Sequence, residues 1–279
     1  MPVTLLGAAE IRLLAADLDV TPTKKLGQNF VVDANTVRKI VNAARVTSAD
    51  RVVEVGPGLG SLTLAILETG APVTAVEIDH RLAERLPATA AAHGVPDGAL
   101  TVIAQDALRV TELPGDPDVL VANLPYNVSV PVLLHFMEHF PSIQRGVVMV
   151  QAEVGERLAA PSGSKVYGAP SVKAAWYGTW RLAGTVSRQV FWPVPNVDSV
   201  LVGFERDSDP RGTEEERLRT FAIVDAAFQQ RRKMLRQALS GVLGGSSASA
   251  TEVLERAGVA PTARGEDLTI ADYVRIARA

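Results

Sequence analysis

Residues 52–79 hold the feature that most limits what this chain can fold into. An apolar run, Val52, Val53 and Val55, stops at Gly56-Pro57-Gly58-Leu59-Gly60, and helical spacing takes over from Ser61 to Leu67. A second apolar run, Val73 to Val76, ends at Glu77, 21 residues after Gly56, and Asp79 opens another helix. Strand, glycine turn, helix and strand make a βαβ unit, which requires a parallel sheet covered by helices. Glycines at such a turn allow positive φ and let the backbone approach a ligand. The spacing is G-x-G-x-G, which departs from the G-x-G-x-x-G of dinucleotide sites. A carboxylate closing the second strand can accept hydrogen bonds from both hydroxyls of a ribose. Each feature alone has a plain reading, a βα turn and a solvated strand-end acid. Together they favour a ligand that contains a nucleoside.

The same alternation continues. Leu100 to Ala104, Val119 to Ala122 and Gly146 to Val150 are three more strands, with a helix over Val130 to Phe140. Two later runs, 179–188 and 199–204, add a final hairpin and bring the total to seven. Upstream, residues 8–19 are a short amphipathic helix, 21–30 a polar and basic loop, and Asp33 an N-cap for a helix reaching Ala44. After the turn-rich Asp207-Ser208-Asp209-Pro210-Arg211-Gly212-Thr213 no strand pattern recurs. Helices are expected at 214–229, 231–243, 251–257 and 269–278, with Gly244 to Ala250 a flexible connector. The expected fold is α/β: a doubly wound, seven-stranded, Rossmann-like domain over 1–206, with an N-terminal extension over 1–50. A small all-helical domain covers 207–279.

Composition narrows the chemistry. The chain has 279 residues and no cysteine, so disulfides, thiolate metal sites and cysteine nucleophiles are excluded. His135 and His139 stand four apart on an expected helix, but no third ligand of suitable spacing accompanies them, so no metal is expected. No apolar run approaches the roughly 18–20 residues that cross a bilayer, and no signal peptide pattern opens the chain, so a cytoplasmic, membrane-free, monomeric protein is expected. Net charge is −3. That excludes a generally basic nucleic-acid coat but not a local basic patch. The 205–279 stretch carries 12 basic and 12 acidic residues. A phosphate-binding surface must therefore come from clusters: Lys24 and Lys25 in one loop, and Arg231, Arg232, Lys233 and Arg236 on one expected helix. A solvated charged face is the ordinary alternative for such a run.

Two further segments lie at the carboxyl edge of the sheet, where open α/β folds bind ligands. Asp106 follows the third strand and can accept from an adenine amino group, or merely cap a turn. Asn123-Leu124-Pro125-Tyr126-Asn127 tops the fourth strand. An Asn amide oxygen and a nearby backbone carbonyl can each accept one proton of an exocyclic amine. That holds the nitrogen lone pair toward an electrophile. Tyr126 offers a ring for base stacking. Trp176, Tyr177, Trp180 and Trp192 read as packing residues.

Five ordered motifs now carry a resemblance: Gly27-Gln28-Asn29-Phe30, Glu54 through Gly60, Val76-Glu77-Ile78-Asp79, Asn123 through Asn127, and Phe191-Trp192-Pro193-Val194-Pro195-Asn196-Val197-Asp198-Ser199. With Phe228-Gln229-Gln230-Arg231-Arg232-Lys233, they make the chain from Lys24 onward resemble the ribosomal RNA adenine N6-dimethyltransferases of the bacterial KsgA (RsmA) type. The resemblance implies a methyltransferase domain that uses S-adenosylmethionine. It implies dimethylation of two adjacent adenosines near the 3′ end of 16S rRNA, in the immature small ribosomal subunit. It places Asn29, Val31, Gly56, Gly58, Glu77, Ile78, Asp106 and Asn123 at the cofactor. Asn123 and the Pro125 carbonyl would hold the target amine, with Tyr126 and Phe191 on either face of the base. Ala152 and Ala169 stand where Lys and Arg are common in that family, which removes charge from loops that would face RNA. The alternatives are a 23S rRNA adenine methyltransferase of the Erm type, a non-catalytic ribosome-assembly factor on the same fold, and a NAD-binding dehydrogenase.

Overall fold

The computed structural model describes residues 2–20 and 29–279. Its strands, in chain order, are β1 Phe30–Val31, β2 Val52–Val55, β3 Val73–Glu77, β4 Leu100–Ala104, β5 Val119–Asn123, β6 Arg145–Gln151, β7 Gly178–Val186, β8 Phe191–Trp192 and β9 Ser199–Arg206. Seven of them form one sheet in the order β4-β3-β2-β5-β6-β9-β7, and β1 pairs with β8 apart from it. Pairing is parallel from β4 through β6, and β9 runs antiparallel against β6. This is the doubly wound α/β sheet expected from the alternation of strands and helices.

The central strands are continuous apolar runs because helices cover both faces of a parallel sheet. Every residue of β2 and β3 is buried, as are Val119 to Ala122 of β5. The helix Ala34–Ala43 begins where Asp33 accepts from Thr36 N–H at 2.7 Å. The helix His80–Ala92 is capped by Asp79, as anticipated. Register aligns Val55 with both Val76 and Ala122, and Glu77 with Ala104. The carboxyl ends of β2, β3, β4 and β5 therefore stand side by side, which brings Gly56, Glu77, Asp106 and Asn123 to one edge.

Residues before β1 add a second layer of packing. Leu6, Ile11 and Leu14 are buried in one cluster with Phe30, Leu59, Leu64 and Leu82. Thr4 N–H donates to the His93 carbonyl at 3.0 Å, and Arg81 donates to the Asp19 carbonyl at 3.0 Å.

The chain forms two compact units: Met1–Gly155 with Arg181–Arg206, and Glu156–Trp180 with Asp207–Ala279. The second unit thus draws on a stretch from within 1–206. Its core explains why. Trp176 and Tyr177 meet the Phe221 ring edge-on, Tyr167 packs on Phe228, and Lys173 pairs with Asp225. Fully buried Tyr273 donates its hydroxyl to the Gly265 carbonyl at 2.9 Å. Capping boxes start the helices Glu214–Gln229 and Ile270–Arg278, at Thr213 and Thr269.

Two expectations are corrected in this unit. The helix expected over 231–243 is only Leu235–Ala238. Met234 is extended, and Lys233 N–H turns back to the Gln230 carbonyl. The expected connector Gly244 to Ala250 is helical from Ser247, since Ser246 accepts from Ser249 N–H at 3.0 Å and starts the helix Ser247–Arg256.

The glycine turn predicts a stability effect. Gly60 has φ +100°, and a Cβ there would lie 2.8 Å from Leu86 Cδ1. Gly60→Ala is expected to cost about 2 kcal/mol through backbone strain, read as a lower urea midpoint at unchanged slope. A midpoint equal to that of the parent protein would contradict this account of the turn.

Candidate active site

The aligned strand ends enclose a cavity of about 230 Å³. The glycine turn forms its floor, and Ile78, Leu108, Asn123 and Tyr126 stand on its walls. Gly56 has φ +71° and Gly58 φ +58°, so both occupy the left-handed region that suits glycine. A Cβ on Gly58 would lie 2.9 Å from the Phe30 ring, which lines the same cavity. The turn passes close under the residues that follow the undescribed 21–28 segment, and only glycine leaves room.

Glu77 is buried at the end of β3, and its carboxylate accepts from Gly58 N–H and from Asp79 N–H, each at 3.0 Å. Burial raises its pKa above the usual carboxylate range, while those two N–H donors oppose the shift. Both oxygens keep a lone pair for further donors.

Behind it lies a carboxyl that the sequence analysis did not single out. Glu54 is 1% exposed in the middle of β2, borders the cavity, and its Oε2 has no hydrogen-bond partner. The Ser61 hydroxyl oxygen is also buried without a partner. Burial pushes the Glu54 pKa up to about 8; the Thr63 hydroxyl opposes the shift, and the nearby Glu77 charge adds to it. The signal available in sequence was an acid inside an otherwise apolar central strand.

Most of the expected site residues converge on the cavity. Asn29, Val31, Gly56, Gly58, Glu77, Ile78, Asp106, Asn123, Pro125 and Tyr126 all border it. Asn123 Nδ2 donates to the Asn29 carbonyl at 3.0 Å, which turns the amide so that its oxygen remains for another donor. The Pro125 carbonyl accepts from Val128 N–H at 3.2 Å and keeps a second lone pair. Tyr126 is half-buried, and its hydroxyl is 2.7 Å from Ser199 Oγ. That bond fixes the ring at the cavity wall and gives Ser199 a positioning part that the sequence analysis had not assigned. Asp106 does cap a turn, accepting from Leu108 N–H at 2.9 Å, but it borders the cavity as well. Ile78 and Leu108 are 51% and 38% exposed. They are apolar side chains left bare at the mouth, where a planar ring would cover them.

Phe191 departs from expectation. It is 2% exposed, belongs to the core cluster that holds Val31 and Ile40, and does not border the cavity. Its backbone pairs with Val31 through the β1–β8 ladder, and this ladder draws the ring inward. Phe191 supports the wall rather than forming it.

The basic residues divide. Lys24 and Lys25 lie outside the described residues. Arg231 is tied within its own unit, to Glu266 at 2.6 Å and to the Lys165 carbonyl at 2.8 Å. The side chains of Arg232, Lys233 and Arg236 make no hydrogen bond or ion pair among the described residues, and Arg232 and Lys233 are exposed. His135 Nε2 donates to the Val110 carbonyl at 2.7 Å, and no group of three or more metal-binding side chains occurs among the described residues.

Known proteins resemble this chain in sequence and in fold. The family description "Ribosomal RNA adenine dimethylase" matches residues 21–279. A protein of Leifsonia xyli named ribosomal RNA small subunit methyltransferase A is 69% identical over 275 residues, covering 98% of each chain. The protein of the same name from Streptomyces coelicolor is 60% identical, over 99% of this chain and 97% of its own. Among solved structures, a dimethyladenosine transferase from Plasmodium falciparum superposes with TM-score 0.75 at 25% identity, covering 88% of this chain and 94% of that one. The 23S rRNA methyltransferase ErmE gives 0.66 at 25% identity, over 90% and 98%.

The buried acid yields a pH-dependent prediction. Glu54 is neutral in the folded chain up to a pH near 8 but ionises near the ordinary value when unfolded. Its raised pKa therefore costs nothing at low pH, and the penalty grows as pH rises from the unfolded value toward 8. Glu54→Gln removes that slope. Its stability relative to the parent protein should improve by on the order of 3 kcal/mol between pH 5 and pH 8, measured by urea denaturation. Parallel pH profiles for the two proteins would contradict this.

Proposed function

The chain belongs to the ribosomal RNA adenine dimethylase family, and we propose that it transfers methyl groups from S-adenosylmethionine to N6 of two adjacent adenosines near the 3′ end of 16S rRNA, dimethylating each. The observation that carries this reading is the placement of Asn123 through Tyr126 on the same cavity as Glu77 and the glycine turn. A nucleoside-binding acid and an amine-holding amide open onto one space.

The donor set fits an adenosyl cofactor. Glu77 offers its carboxylate oxygens to ribose hydroxyls, and Asp106 suits an adenine amino group. Ile78 and Leu108 present apolar faces for the ring. Gly56 and Gly58 bring backbone close without side-chain bulk. When bound, S-adenosylmethionine supplies an electrophilic methyl group. The chain's own residues do the rest. The Asn123 amide oxygen and the Pro125 carbonyl accept the two protons of the target amine, which points the nitrogen lone pair away from them. Tyr126, held by Ser199, stacks on the base. No side-chain base is required, because the nitrogen becomes acidic once it is alkylated and water can take the proton.

Charge supports a structured ribonucleoprotein substrate over free RNA. With a net charge of −3, few phosphates can be neutralised, and we assign that contact to Lys24, Lys25, Arg232, Lys233 and Arg236. The immature small subunit is the proposed partner, and the proposed setting is the cytoplasm, with the protein acting as a monomer.

Methyl transfer from labelled S-adenosylmethionine to unmethylated small-subunit particles, followed by mapping of the modified bases, tests the reading. Two adjacent N6,N6-dimethyladenosines near the 16S 3′ end are expected, and transfer only to 23S rRNA would overturn it. Asn123→Ala should lower the rate by about 100-fold or more, since the amine is no longer aligned, while particle binding persists. Equal loss of binding and transfer would contradict the assigned role.

A further inference from the structure

The buried acid beneath the cofactor cavity has no part in the chemistry described so far. Two buried polar atoms beside the cavity lack partners, Glu54 Oε2 and Ser61 Oγ. Glu54 and Ser61 border the cavity. Leaving a buried polar atom unpaired costs free energy comparable to a lost hydrogen bond. Buried polar groups that open onto a ligand cavity and lack partners within the chain are suited to partners supplied by the ligand. A buried carboxyl that opens onto such a cavity suits a cation, because a positive charge offsets the cost of ionising it.

We propose that Glu54 is the proton-releasing group of this site, losing its carboxyl proton to solvent when the cationic methionine end of the cofactor enters the cavity. The proposal rests on S-adenosylmethionine being the cofactor. The balance is simple: one O–H bond breaks, the proton passes to the buffer, and the carboxylate left behind is paired by the incoming positive charge. No other bond changes. The charged group facing Glu54 is Glu77, on the adjacent strand β3, whose negative charge favours the protonated form in the empty cavity. From the following helix the facing group is the neutral Thr63 hydroxyl. A cation between the two acids reverses that preference. The neutral carboxyl in the empty protein agrees with the raised Glu54 pKa.

Linkage fixes the sign. Below a pH near 8 the empty site carries the proton and the loaded site does not, so binding releases a proton and affinity rises with pH. The affinity gain is at most tenfold per pH unit, because one group gives up one proton, and it levels off above pH 8.

Isothermal titration calorimetry of the whole protein with S-adenosylmethionine tests this, in phosphate and in Tris at pH 7, whose ionisation enthalpies differ. Release of close to one proton per site is expected, together with a five- to tenfold rise in affinity between pH 6.5 and pH 7.5. 5′-Methylthioadenosine, which has the nucleoside but no charged head group, should bind without releasing a proton. Glu54→Gln should bind S-adenosylmethionine with no proton release and with an affinity that does not change with pH. Binding of S-adenosylmethionine to the parent protein with no buffer dependence would overturn the proposal while leaving the cofactor assignment intact. So would proton release that survives in Glu54→Gln. No binding of S-adenosylmethionine at all would overturn both.

Discussion

The Glu77 carboxylate ties the site together. One oxygen takes the N–H of Gly58 and the other that of Asp79. The first bond pins the glycine turn after β2, and the second pins the start of the helix after β3. Both hold before any ligand arrives. A parallel sheet aligns its strand ends, but it does not by itself fix the loops that leave them. Glu77 does so from inside the cavity, at the cost of burying a charge next to a second acid. The glycines at 56, 58 and 60 are what let the backbone donors approach it, since each has a positive φ.

The second set of hydrogen bonds holds the groups on the facing wall. The amide of Asn123 is oriented by the Asn29 carbonyl, so the segment after residue 28 and the tip of β5 are coupled through one hydrogen bond. The ring of Tyr126 is held by Ser199 at the start of β9. Three separated stretches of chain thus aim two carbonyl-type acceptors and one aromatic face at the same small volume. Pre-oriented acceptors of this kind raise the rate by fixing a near-attack geometry, rather than by tightening substrate binding alone.

Much of this was legible in the sequence where chemistry and periodicity coincide. Strand runs, the glycine turn, Glu77, Asp79 as an N-cap and Asn123 at a strand end all follow from local pattern. What escaped depends on contacts far apart in the chain. Arg231 reads as a free cation until Glu266, 35 residues on, is seen to pair with it. Phe191 stands at a face of the target base by the family resemblance, yet its pairing with Val31 turns it into the core. Glu54 lies in a run that periodicity marks only as a strand. Its complete burial follows from helices packing on both faces of that strand, which no local window encodes. The misread helix after Gln230 has a local cause: Met234 takes an extended conformation, and helical propensity over 231–243 gave no sign of that break.

The central claim is that one cavity holds an adenosyl ligand against Glu77 and faces it with Asn123 and Tyr126. A crystal structure of the chain with S-adenosylhomocysteine bound tests this most directly. The account predicts both ribose hydroxyls within hydrogen-bond distance of the Glu77 carboxylate, with the adenine between Ile78 and Leu108 and its amino group toward Asp106. A ligand whose ribose lies away from Glu77, or that binds outside this cavity, would contradict it.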